Sequence, residues 1–237
     1  MKKTFITITI ILCISVMLFS QRAEKKMTFI ETVVLYPFEN EMNFKAGLSK
    51  FGVPEKTKIK LYNYAPNGLG LSTEQSKQSL GVHTAFKRKG YNFIDIMPIT
   101  PAKPIPGKVK SLDVWVWGGN FTYTMDIHLE DFRGYIHKMP LGDLHYYGWK
   151  NKSVDIHQSI PQAEPYAPSL KGLTFRKFRI WSTPTERVDR FHVFLDYFKA
   201  VSDIYSPQYN GFELEGVIAN DELEEKKPST QTSPASQ

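Results

Sequence analysis

Residues Ser111–Gln162 read SLDVWVWGGNFTYTMDIHLEDFRGYIHKMPLGDLHYYGWKNKSVDIHQSIPQ. In its first part apolar side chains recur at every second position. Leu112, Val114 and Val116 share one face, and Asp113, Trp115 and Trp117 share the other. Further on, Tyr123, Met125, Ile127 and Leu129 alternate with Thr124, Asp126, His128 and Glu130. A period of two belongs to strands with one face on a core, so the second set is expected to be wet. Gly118-Gly119-Asn120 reads as a turn, and so does Asp131-Phe132-Arg133-Gly134, where Gly134 supplies a positive φ. Tyr135–Leu141 reads as a return strand, Gly148-Trp149 as the end of a loop, and Ser153–His157 as a further strand.

The same reading extends outward. Met27–Phe38 is expected as a strand, Glu39–Pro54 as a loop, and the alternating Lys56–Tyr64 as a half-buried strand. Ala65–Leu71 is a turn cluster. Ser72–Leu80, with Ser72 or Thr73 as cap, fits one or two surface helical turns. Thr84–Lys89 and Asn92–Ile99 are expected as short strands, and Thr100–Gly107, with three prolines, as an extended crossover. Gln158–Lys171 reads as a loop, and Thr174–Trp181 and Arg190–Val201 as long strands. In the last of these, simple alternation places Phe191, Val193, Leu195 and Tyr197 on one face. It places His192, Phe194, Asp196, Phe198 and Ala200 on the other. A strand apolar on both faces is central or touches a partner. About nine or ten short strands with little helical periodicity predict an all-β fold. The expected architecture is an antiparallel β-sandwich of jelly-roll type with minor short helical turns.

The chain has 237 residues, 41% of them hydrophobic, and a formal net charge of +6. Subtracting Lys2 and Lys3 leaves about +4, too little for a nucleic-acid footprint. Lys2 and Lys3, followed by the apolar run Thr4–Phe19 and a small residue at Ser20, form a signal-peptide pattern. No stable membrane anchor is expected after its cleavage. The single cysteine, Cys13, lies within that run, so a processed chain has no thiol chemistry. Residues 1–20 are therefore expected as signal peptide and 21–219 as one sandwich domain. Residues 220–237 form a polar tail too poor in apolar residues to order itself.

Candidate chemistry is sparse. His128 and His137 flank the DFRG turn and, with Asp126, suggest a two-histidine, one-carboxylate metal site; solvated strand residues explain them more simply. Asp126, Glu130, Asp131 and Asp196 are the candidates for a glycosidase-type carboxylate pair, but any such sandwich offers pairs of this kind. No nucleophile elbow, phosphate loop or dinucleotide fingerprint is present. No catalytic, cofactor or metal site is expected, and the protein is not expected to be an enzyme. Trp115, Trp117, Trp149, Trp181, Tyr146 and Tyr147 suit either packing or sugar stacking.

The runs Trp115-Val116-Trp117-Gly118, Asp131-x-Arg133-Gly134, Leu141-Gly142, Gly148-Trp149-Lys150, Ile160-Pro161-Gln162 and Phe194-x-Asp196 resemble the spirochaetal FlaA family, the flagellar filament outer layer (sheath) proteins. The resemblance covers roughly Ser111–Asp203, with Gly119 where an arginine is common, and fits a smaller paralogue. It implies a periplasmic, non-enzymatic component of the flagellar filament sheath. Its partners would be FlaB-type core flagellins and other sheath proteins, and its role would lie in filament curvature, stiffness and motility. The signature residues Trp115, Trp117, Gly118, Asp131, Arg133, Gly134, Gly148, Trp149, Pro161, Gln162 and Asp196 would then be mainly structural, with Arg133 pairing with Asp131 or another acid. Trp149, Lys150 and Lys87-Arg88-Lys89 are candidate interface residues. The alternative is a periplasmic carbohydrate-binding module or glycan-acting protein on the same fold.

Overall fold

The computed structural model describes residues 29–39, 43–70, 77–164 and 167–204, and for 164 and 167–171 it describes the backbone only. The expected signal peptide, Cys13, the polar tail and most of the helical reading at Ser72–Leu80 lie outside the described residues. The strands are β1 (Ile30–Tyr36), β2 (Phe44–Leu48), β3 (Lys58–Tyr62), β4 (Ser79–Thr84), β5 (Phe93–Pro98), β6 (Lys108–Gly119) and β7 (Thr124–Glu130). They continue as β8 (Ile136–Asp143), β9 (Tyr147–Asp155), β10 (Ala163–Glu164), β11 (Ala167–Lys171), β12 (Thr174–Trp181) and β13 (Phe191–Asp203). One sheet has the order β3-β4-β13-β6-β9, with β1 also pairing β13; the other has the order β2-β5-β12-β7-β8. All pairings are antiparallel, and the fold is an all-β sandwich of jelly-roll type.

The alternating patterns build the interior. Leu112, Val114 and Val116 of β6 face Met125, Ile127 and Leu129 of β7 across one apolar core, all fully buried. At one end the sheets are joined by rings: Tyr36 lies 4.9 Å from Phe44, 5.7 Å from Phe175 and 6.3 Å from Phe198. The proline-rich segment after β5 crosses from the second sheet to the first. Pro104 bridges Thr174, and Ile105 donates its N–H to the Leu173 carbonyl. Beside it, the Gln162 side chain acts as a strand. Its Oε1 accepts the Val109 N–H at 2.8 Å and its Nε2 donates to the Val109 carbonyl at 2.9 Å.

Several expectations are corrected. Glu39–Pro54 contains β2, because Phe44, Ala46 and Leu48 alternate well enough for an edge strand. Ser79–Thr84 is a central strand, buried at every position but His83. It was hidden because a strand buried on both faces has no alternation. Lys87-Arg88-Lys89 is an exposed bend beyond it, not a strand. Gly118 and Gly119 continue β6, and Gly148-Trp149 lies inside β9. A short ribbon, β10–β11, occupies the expected loop. The DFRG turn is as expected, with Gly134 at φ 87°.

The largest correction concerns β13. Its register against β6 slips between Asp196 and Lys199, and Tyr197 sits at φ 47°. Two residues here oppose one on β6, a bulge that reverses the facing of everything after it. Phe191, Val193, Leu195, Phe198 and Ala200 therefore all enter the core. Phe194 remains outside, and Tyr197 is not among the core residues.

Candidate functional site

The outer face of the first sheet carries the signature tryptophans. In β6, the residues between the core positions are Trp115, Trp117 and Gly119. Register then builds a row across five strands: Lys60, Gly81, Phe194, Trp117 and Trp149 stand successively opposite one another. A second row is Lys58, His83 and His192, with Gly119 opposite Tyr147. Adjacent strands lie about 4.8 Å apart, so the band is about 20 Å long.

The rings tile this band edge to face, as their quadrupoles favour. Trp117 meets Phe194 at 5.4 Å and Tyr147 at 5.2 Å, and stacks on His192 at 5.5 Å. Tyr62 meets Phe194 at 5.3 Å. Gly81 makes room for this contact, since a Cβ there would lie 2.4 Å from the Tyr62 ring and 2.9 Å from Phe194. The Tyr62 hydroxyl and His83 Nε2 are hydrogen-bonded at 3.0 Å, and His83 and His192 lie 6.0 Å apart. Burial, then Lys58 and Lys60, hold the His83 pKa below its ordinary value. Burial, then His83 and Arg187, do the same for His192. Both imidazoles are thus neutral near pH 7. The rings are half-buried, except that Tyr147 is 78% exposed. The band offers π faces, ring edges and neutral polar atoms to whatever lies on it.

Trp115 lies under the single helical turn Asn67–Gly70, with Gly68 in contact with its ring. Trp149 ends the first row on the edge strand. Asp196 is fully buried at the bulge, and its Oδ1 accepts the Tyr197 N–H at 2.7 Å. Lys150 lies over the Tyr146 ring at 4.4 Å, and Tyr146 is buried with its hydroxyl on the Val116 carbonyl. Arg88 covers Phe51, and Lys89 donates to the Thr185 carbonyl. Among the described residues, no contact joins that triplet to Trp149.

The remaining candidates disperse. Asp131 accepts the N–H groups of Arg133 and Tyr135, and its other oxygen meets His137 at 2.8 Å. Burial opposes its ionisation, but these bonds outweigh that and keep its pKa low. His137 stands opposite Leu129, whereas His128 stands opposite Lys138. The two histidines therefore lie on opposite faces of their ribbon and do not share a metal. His128 is buried, not wet. Glu130 binds Arg176 bidentately, both bonds 2.5 Å, and Asp126 accepts the Trp181 indole N–H at 3.1 Å. With Asp196 on the other sheet, no catalytic carboxylate pair forms from these four. Sequence reading missed Tyr62, Gly81, His83, His192 and Phe194 as partners of the tryptophans. Only the last carried a signal, as an aromatic on the second face of a long strand.

Residues 14–210 match the family described as flagellar filament outer layer protein FlaA. A flagellar filament outer layer-like protein of Brachyspira hyodysenteriae is 30% identical over 136 residues. The matched region is 57% of this chain and 62% of that relative's length. A solved carbohydrate-binding module of the β-sandwich superfamily superposes with a TM-score of 0.48 at 7% identity, over 70% of this chain and 60% of its own. The family 11 module of a Clostridium thermocellum cellulase superposes with a TM-score of 0.45 at 9% identity, over 76% of this chain and all of its own. The extent of the family match decides membership: this chain belongs to the FlaA family of flagellar filament outer layer proteins.

Proposed function

We propose that this chain is a structural, non-enzymatic subunit of the outer layer of a periplasmic flagellar filament. In this reading it packs on FlaB-type flagellins and neighbouring sheath proteins and contributes to curvature, stiffness and motility. The family match supports the filament, and the apolar run Thr4–Phe19 supports export. The observation that carries the contact surface is the ring band from Tyr62 to Tyr147, half-buried on the outside of a complete sandwich. Large, rigid aromatics at the centre of an interface supply most of its binding energy. Each subunit can bind weakly and still be held by many neighbours.

The test is co-sedimentation of the purified chain with stripped filaments. Trp117→Ala and Tyr147→Ala should each lower the bound fraction by about tenfold or more, with far-UV circular dichroism unchanged. Binding indifferent to both substitutions would remove the band from the contact. A second reading, a sugar-binding face, is favoured by the neutral imidazoles among half-buried ring faces. It predicts a glycan-array signal lost in Trp117→Ala, and a silent array on folded protein rejects it.

A further inference from the structure

A separate feature lies on the outside of the second sheet. A cleft of about 420 Å³ opens where the segment after β5 passes the start of β12. Its apolar walls include Met97, Pro101, Ile99 and Ile136, the last two 54% and 47% exposed. Lys45, Arg176 and Lys177 supply its cations. A register slip between Phe175 and Lys177 makes room for Arg176 beside Lys177.

Two of these cations already hold acids. Arg176 is on Glu130, and Lys177 is 2.8 Å from Asp95. Lys45 has no ion-pair partner among the described residues, nor does Lys138, which flanks His128 across from Lys177. His128 lines the cleft and is 3% exposed, and its Nε2 is buried with no hydrogen-bond partner among the described residues. As the Nε2–H tautomer it lacks an acceptor, and a lone buried donor is costly. Isolated apolar walls, surplus positive charge and an unmet donor together ask for a carboxylate beside a branched apolar side chain.

The chain itself contains that chemistry twice beyond its described residues, in Glu213-Leu214-Glu215 and Glu222-Leu223-Glu224. Eight residues separate Ile204 from Glu213, a reach of up to about 28 Å when extended. That is enough to cross to a neighbouring molecule. We propose that the acidic segment 213–225 of one copy docks in the Lys45–His128 cleft of a second copy, joining subunits head to tail. A leucine enters between Ile99 and Ile136, and its flanking carboxylates meet Lys45 and the cations beside it. Such an interface is heterologous, so it propagates along a filament wherever the rotation between copies does not close. The packing of copies side by side rests on the outer-layer reading; the docking itself does not.

Analytical ultracentrifugation of the full processed chain tests the docking without filaments. Wild type should self-associate in a concentration-dependent way that 0.5 M salt weakens about tenfold or more. Lys45→Glu, on an exposed edge strand, and a tail variant with Glu213, Glu215, Glu222 and Glu224 replaced by lysine should each remain monomeric. Mixing the two should restore association, because the first keeps an acidic segment and the second keeps a cationic cleft. A wild-type chain that stays monomeric, including one whose segment closes on its own cleft, overturns the proposal. So does association that both variants retain, or a mixture that does not recover. Loss of filament binding with self-association intact would instead count against the outer-layer reading alone.

Discussion

Gln162 pairs with a peptide group as if it were backbone, and that explains why its residue type matters more than its size. Gln162→Ala leaves the Val109 N–H and C=O buried and unmet, so a loss of about 2–4 kcal/mol is expected in urea unfolding. Gln162→Glu keeps the acceptor but sets a carboxylate near the Val109 carbonyl, and should be little better. Glu186 works through charge. Its carboxylate accepts the N–H and hydroxyl of Thr122, and those bonds, with the hydroxyl first, bring its pKa down to about 2. Because the folded value lies below the unfolded one, its contribution is complete above about pH 4.5. It is lost as pH falls toward 2. Acid unfolding should therefore steepen in that window, and Glu186→Gln should flatten the curve there. Neither role was legible from sequence. Gln162 was visible only as part of Ile160-Pro161-Gln162, since its partner lies 53 residues away. Glu186 stood in a stretch with no pattern at all.

Among the elements, β13 shows where alternation succeeds and where it fails. Up to Leu195 the period of two is obeyed, and the core residues could be named. At Tyr197 one extra residue reverses the facing, which hydrophobicity alone cannot reveal. Deleting Tyr197 removes the extra residue, so plain alternation alone then carries Phe198 and Ala200 into the core behind Leu195; a folded protein with near-UV dichroism retained is expected. Tyr197→Gly should be tolerated within about 1 kcal/mol, because glycine accepts a positive φ at no steric cost. Strand β4 makes the complementary point. Gly81 leaves space for the Tyr62 ring, so Gly81→Val should push that ring away and open His83 to water. The His83 pKa, held low mainly by burial, should then rise toward its ordinary value in an NMR titration. In the wild type His83, His128 and His192, all held low mainly by burial, contribute stability that is complete above about pH 6.5. That contribution is lost as pH falls through their lower folded values.

At the scale of the molecule, the sandwich, its core faces and the DFRG hairpin were legible because each depends on local periodicity or on one glycine. The ring band was not, because its members come from β3, β4, β6, β9 and β13 and meet only through register. The same holds for the cleft, whose walls come from both sides of the proline-rich crossover. The two outer faces differ in chemistry. One is tiled with rings; the other is held by charge, with Asp95 gripped by Lys177 and Arg179. Salt should therefore weaken contacts made by the second face and spare those made by the first, a difference readable by washing filaments at rising ionic strength. Strand β13 has a mechanical consequence as well. It is bonded on one side to β6 for most of its length and on the other to β4 and then β1, all antiparallel. A pull on the chain beyond Asp203 loads those bonds along the strand, in shear, where many must rupture together. A bending filament that tugs on its coat through that end would load many of these bonds at once, and the sandwich should transmit the force before it yields.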